Sequence, residues 1–235
     1  AQNLERLLER NERWDELVRF LRAQLPSRGA AEQHEVRLRV FALLGDKLGD
    51  VRRALEEARA LLAAPGDAAV VVAALERIVA TDTEDSDVRR DASALLRARY
   101  ERDGRTADLV RLLDAEIALV DPKRQAALHV EAGERLAAEG KATEALVHFA
   151  DALALAPADA DVRARLRSLA ESTSQQAKLV SVLEGLAGSV EDAALRVGFR
   201  LESASLRRGP LRDAAGAIDV LVAVLAEPAL DGALV

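Results

Sequence analysis

The sequence predicts an all-α fold, a right-handed α-solenoid of antiparallel helix pairs. Three observations predict it. Between breakers, nearly every segment repeats apolar residues at i, i+3, i+4 and i+7, the period of an amphipathic helix, and none sustains the alternation of a strand. Half of the 235 residues are hydrophobic but only 3% are aromatic; Ala, Leu, Arg and Glu dominate, which favours helices packed through small aliphatic side chains. Equivalent positions also recur at spacings of 34 to 36 residues, the mark of a repeat architecture.

Taken in order, the periodic segments predict helices near residues 2–10, 12–25, 30–44, 50–64, 67–80, 86–102, 105–119, 123–139, 142–155, 159–171, 175–187, 190–207 and 211–226. Pro26 with Gly29, Gly45 with Gly49, Pro65 with Gly66, Gly104, Pro122, Gly140, Pro157, and Gly209 with Pro210 each end a periodic stretch. Asp50, Asp67, Ser86 and Asp121 are N-cap candidates, because a short oxygen-bearing side chain can accept the free N–H groups of a first turn. The loops are short, so successive helices run antiparallel.

Self-similarity is the strongest signal. Residues 126–159 carry Gly133, Leu136, Ala145, Phe149, Ala152 and Pro157, with Gly140 in the turn between two helices. Gly133 and Ala145 let the helices approach, Phe149 fills the gap between them, Ala152 admits the next pair and Pro157 stops the second helix. The preceding unit keeps an aromatic at Tyr100 and a turn glycine at Gly104. Taking Ala145 as anchor, equivalent positions fall at Leu109, Leu179 and Ala214, and Ala54 with Ala58 anchors a further unit after Gly49. These residues stand at the spacing of the tetratricopeptide repeat (TPR), and the whole chain resembles that family, most closely over 126–159. Its "ALER" and "LVRLL" helices also look like the degenerate TPR-like arrays found in large proteins of some deltaproteobacteria. His129 departs from the pattern, standing where the family prefers a large aromatic.

A longer period overlies the short one. Residues 4–25 align without gaps on 166–187, matching Leu4/Leu166, Leu7/Leu169, Leu17/Leu179, Val18/Val180 and Leu21/Leu183, a shift of 162. Gly49 and Ala54 match Gly209 and Ala214 at a shift of 160. The expected organisation is one continuous solenoid over 1–235, with a first super-repeat at about 1–163 and the start of a second at about 164–235. Ala54 and Leu109 are 55 residues apart, too many for one repeat and too few for two, so the helix at 67–80 is an extra one. The chain opens inside a helical pattern at Leu4, Leu7 and Leu8 and ends on an apolar stretch at 230–235, so it reads as a piece of a longer protein.

Composition narrows the function classes. The net charge is −7, and the 33 basic residues are interspersed with 40 acidic ones, an argument against binding nucleic acid through bulk charge. The longest apolar runs, such as 68–75, are too short to span a bilayer, so no membrane insertion is expected. Cysteine is absent, which removes disulfides and thiolate metal sites and leaves the compartment unread, with a soluble cytoplasmic protein as the default.

Chemistry is sparse. His34, His129 and His148 have no metal-ligand spacing; His129 and His148 lie on consecutive helices and could meet, although packing or surface histidines are the plainer reading. The acidic stretch 81–87 (TDTEDSD) lacks the central Gly of a calcium loop and reads as a solvated linker that caps the next helix. Arg207, Arg208 and Arg212 gather at a turn that could clamp an anion but reads as solvated, and Trp14 reads as a packing residue. No GxGxxG, GxxxxGK[ST] or GxSxG occurs. No catalytic residue, metal site or cofactor is expected.

The resulting expectation is a non-enzymatic scaffold that binds a helix, peptide or domain on a concave face formed by the first helix of each pair. A structural spacer that associates end to end through its terminal helices is the alternative, and an enzyme a distant third. Where TPR proteins hold a partner's terminal carboxylate they present Lys and Asn. The resemblance puts Val130 and Glu134 at those positions here, and Ala94 and Ala98 in the preceding unit. Such a surface suits apolar and Arg-mediated contacts, not a carboxylate clamp.

Overall fold

A computed structural model describes residues 2–81 and 85–226, and among these residues the chain is all-α. Thirteen α-helices follow one another: α1 (Gln2–Arg10), α2 (Trp14–Gln24), α3 (Ala30–Ala42), α4 (Val51–Ala63), α5 (Ala69–Ala80), α6 (Ser86–Asp103), α7 (Thr106–Ile117), α8 (Pro122–Ala138), α9 (Ala142–Leu155), α10 (Ala160–Ser172), α11 (Gln176–Ser189), α12 (Ala193–Arg208) and α13 (Ala214–Leu225). Each predicted helix is present. Two short elements were not legible in the periodicity: a 3₁₀ turn at Leu25–Ser27 and a π-helical turn at Leu43–Lys47 that prolongs α3. The terminal stretch 230–235 lies outside the described residues.

The chain divides within α7 into two compact units, Ala1–Leu109 and Val110–Val235. In the first, α1 packs on α2, α2 on α3, α3 on α4 and α5 on α6, while α4 also meets α5 and α6. In the second, α8 through α13 pack each on the next. The core of each unit is aliphatic, with Leu17, Leu21, Leu44, Leu61, Leu75 and Leu96 among the fully buried side chains of the first and Leu128, Leu146, Leu153 and Phe199 among those of the second.

One backbone device recurs at six turns. A residue in the left-handed region precedes a buried anchor by five positions: Glu12 before Leu17, Gly49 before Ala54, Gly104 before Leu109, Gly140 before Ala145, Ser174 before Leu179 and Arg212 before Ala217. In four of these turns the next N–H donates to the carbonyl five residues back (Arg13 to Leu8, Arg105 to Tyr100, Lys141 to Leu136, Gln175 to Ala170), the Schellman closure of a helix end. The carbonyl of that same residue then accepts from the anchor N–H and opens the next helix, as Lys141 O does from Ala145 N at 3.0 Å. The turn therefore ends one helix and starts the next in a fixed register.

The remaining two turns are wider and alike. Leu48 N donates to Leu43 O and Asp50 N to Leu44 O before α4, and Leu211 N donates to Leu206 O and Asp213 N to Arg207 O before α13. These pairs are 163 residues apart, and they correct the expected anchor: Ala217, not Ala214, is buried at the start of α13, and Arg212, not Gly209, is the counterpart of Gly49. The turn from Gly209 to Asp213 is longer than the three-residue turns, which moves the anchor three positions on. Before α5 the device is missing, because Gly66 has φ 143° and the His34 ring packs where its Cβ would stand. The helix expected to be extra is thus entered through a different turn.

The α8–α9 pair carries the expected close approach. A Cβ on Gly133 would lie 2.9 Å from Cε1 of Phe149, and Leu136, Ala145, Phe149 and Ala152 are all buried. Pro157 stands in the turn just past α9.

Both the turn and the packing have measurable consequences for stability. Gly140 has φ 75° and open space around the missing Cβ. Gly140→Ala therefore meets only the backbone penalty and should cost about 1–2 kcal/mol in urea unfolding. Ser174→Ala, already in the left-handed region with a Cβ, should change stability by under about 0.5 kcal/mol. Phe149→Ala should cost about 3–5 kcal/mol through the cavity it leaves, and a cost below about 1 kcal/mol would contradict the packing described.

Candidate functional site

The Gly133–Phe149 contact brings two histidines together. His129 lies one turn before Gly133 on α8, and His148 immediately precedes Phe149 on α9, so the close approach of the helices also apposes the two rings. Their centroids are 5.4 Å apart and Nδ1 of one faces Nδ1 of the other at 3.2 Å. Such a hydrogen bond needs one nitrogen protonated and the other bare, so the pair in its bonded form carries a proton on one facing nitrogen only. Asp151 Oδ2 stands 4.0 Å from His129 Nδ1, and Asp114 Oδ1 stands 3.9 Å from His148 Nε2. Both carboxylates are beyond hydrogen-bond length. Burial holds the His129 pKa below its ordinary 6.5, and the neighbouring His148 lowers it further, against the opposing pull of Asp151 and Asp114.

The expectation that the two histidines could meet is met, and the acids were not foreseen: Asp114 comes from α7, and no local spacing connects it to His148. Among the described residues no group of three or more His, Cys, Asp or Glu side chains is arranged to hold a metal ion. The histidine pair thus spends its facing nitrogens on each other and acts as a polar cross-link between α8 and α9.

The first-helix positions lie elsewhere. On α8, Val130 is half-buried and Glu134 is exposed and paired with Arg165 of α10. On α6, in the other unit, Ala94 and Ala98 are exposed. Beyond Glu134 the polar surface of the second unit continues, because Arg163 and Arg167 of α10 both bind Glu202 of α12, each at 2.6 Å. Arg163 also donates to Gly198 O and stacks on Phe199 at 4.5 Å from the ring centroid. Its guanidinium is fixed on three sides.

The first unit has a comparable arrangement. Arg39 of α3 pairs with Glu5 and Glu9 of α1. Glu57 is buried in α4 and is held by Arg22 and Arg37, each at 2.8 Å. Sequence reading missed Glu57, although its place between Ala54 and Ala58 on the apolar face is the signal that could have found it. Tyr100 is buried, and its hydroxyl donates to Glu76.

The remaining candidates are accounted for locally. Residues 82–84 of the acidic stretch lie outside the described residues, while Asp85, one position before the expected Ser86, caps α6 by accepting from Asp87 N and Val88 N. Arg207 is no anion clamp, being occupied by Glu184 and Asp213, which raise its pKa. His34 bonds Asp67 O through Nε2 at 2.9 Å. Trp14 is half-buried, with the Lys47 ammonium 5.5 Å from its ring centroid.

No protein-family model matches the chain, and no curated protein matches it by sequence. Among solved structures it is similar to a crystal structure of nearly identical TPR-like repeats ascribed to a kinesin light chain of Podosopora anserina, at 17% identity and a TM-score of 0.36, covering 83% of this chain and 93% of that one. A single-substitution variant of the same repeats gives 17% identity and a TM-score of 0.35, with 83% and 92% covered. No helix among the described residues is long and apolar enough to cross a membrane.

The histidine pair makes stability depend on pH. With the folded pKa of His129 below its unfolded value, the unfolded chain binds more protons in that window, so stability is full above about pH 6.5 and falls as pH drops towards the folded pKa. His129→Phe removes this term. The melting temperature of the variant should fall less than that of the parent between pH 7.5 and 5.5, and equal slopes would show that His129 does not contribute.

Proposed function

We propose that this chain is a non-enzymatic protein-interaction scaffold whose first-helix faces receive a helix or folded domain. The observation that carries this reading is the band Glu134–Arg165 and Arg163/Arg167–Glu202. It crosses three successive first helices, α8, α10 and α12, with each charge paired to one on the neighbouring first helix. A surface of that kind offers length and shape complementarity instead of an enclosed reaction site. The histidine pair supports the same reading, since its nearest carboxylates are too distant to orient either ring as a general base.

The faces suit some partners better than others. Glu134 is neutralised by Arg165 and Val130 is aliphatic, so a free carboxylate would find neither a spare cation nor a cluster of donors there. Ala94 and Ala98 give α6 an aliphatic surface of the same character. The partner is therefore held along its length by apolar contacts and by the exposed parts of Arg165 and Arg167.

The test is calorimetry on a partner identified by affinity capture with the chain. Amidating that partner's terminal carboxylate should change its Kd less than about threefold, whereas the double variant Arg165→Ala, Arg167→Ala should weaken binding by at least about tenfold, roughly 1.4 kcal/mol. A tenfold loss on amidation, with no effect of the double variant, would refute this account of the surface.

A further inference from the structure

The last described helix leaves an apolar stripe bare. On α13, Ile218, Leu221, Val222 and Leu225 are 60%, 39%, 59% and 78% exposed. They are spaced i, i+3, i+4 and i+7, which puts them on one face of the helix. The helix buries Ala217 and Val224, and it packs on α12.

Helix α4 shows what covers such a stripe. Both helices follow the wide turn with its left-handed residue, and both are capped by an aspartate that accepts the N–H three residues on: Asp50 from Arg53, and Asp213 from Gly216. At the offset of 163 set by those turns, Ala54 and Leu61 correspond to Ala217 and Val224, and all four are buried. At the same offset Leu55, Ala58 and Leu62 correspond to Ile218, Leu221 and Leu225. The first three are 7%, 0% and 6% exposed. α4 is covered by the α5–α6 hairpin, whose Val71, Val72, Leu75, Val88, Ala92 and Leu96 are buried, with Val88 lining the same cleft as Leu55.

We propose that the stripe Ile218, Leu221, Val222 and Leu225 is a docking face for an aliphatic helix hairpin of the α5–α6 kind. The side of the helix that is core in α4 is bare in α13, and the two helices share their cap, turn and inner anchors. The differences sharpen the chemistry. Arg59 of α4 is replaced by Val222, and Arg52, which pairs with Asp85, is replaced by Ala215. The occupant therefore presents a more apolar stripe than α5–α6 does and needs no carboxylate at the position of Asp85. This surface is independent of the first-helix faces.

An extended chain provides the test. Pro65 and Pro228 share the 163-residue offset in sequence, so residues 65–103 joined after Glu227 in place of 228–235 enter in register. The extended chain should gain helical circular dichroism for the added residues. Ile218→Asp should lower its melting temperature by about 5 °C or more, but that of the parent by less than about 2 °C, since the side chain is buried only in the former. Added residues that stay non-helical, or equal effects of Ile218→Asp in both chains, would overturn the proposal. Light scattering of the parent at about 100 μM is the second measurement; the expected result is a mass independent of Ile218→Asp. A dimer dissolved by that substitution would place a second copy on the stripe and overturn the proposal equally.

Discussion

At six of the turns a single left-handed residue, five positions before a buried anchor, is the constraint on which the pairing of the flanking helices depends. An α-helix ends with unpaired carbonyls, and the next begins with unpaired N–H groups. At Leu136–Ala145 a single turn resolves both: Lys141 N closes the outgoing helix on Leu136, and Lys141 O opens the incoming one to Ala145. Because the chain reverses at a fixed register, the anchor arrives opposite the helix just completed, and it must be small or aliphatic. Leu17, Ala54, Leu109, Ala145, Leu179 and Ala217 all satisfy that requirement. Once the register is set, Phe149 has one gap to fill, and His129 and His148 have no choice but to meet.

Glycine is the cheap residue for this turn, yet Glu12, Ser174 and Arg212 also adopt the left-handed region. That choice costs about 1–2 kcal/mol per position. At two of them the neighbouring side chain repays part of it: Asn11 Nδ2 donates to Leu7 O, and Thr173 Oγ1 to Leu169 O, each adding a second donor to a helix carbonyl that already accepts from that residue's own N–H. The same solution at positions 162 apart is a local likeness that apolar matching in the sequence could not disclose.

How much was legible follows from which forces are local. Helix number and approximate ends were readable because periodicity, Gly, Pro and Asp act within a few residues. The Gly133–Phe149 packing was readable because a pattern fixed at known spacing implies the contact. Three things were not. The anchor of α13 was misplaced by three positions because Gly209 and Pro210 looked like the whole turn, whereas the left-handed residue is Arg212 and the cap is Asp213. The π-helical turn at Leu43–Lys47 depends on backbone closure with no residue signal. Asp114 beside His148 and the arginines around Glu57 are contacts between distant segments, set by packing that no spacing encodes.

The ion pairs reveal what the first-helix faces preserve. In the first unit Arg39 of α3 binds Glu5 of α1, and at the matching positions of the second unit Glu202 of α12 binds Arg167 of α10. The partners are exchanged and the bridge remains. A bridge with either polarity ties neighbouring helices at the same place, so its sign is immaterial to that task. Opposite charges in contact also cancel beyond a Debye length, about 8 Å at physiological ionic strength. Faces lined by such pairs project little long-range field, so under the proposed scaffold reading a partner would be held by short-range fit and not by electrostatic steering.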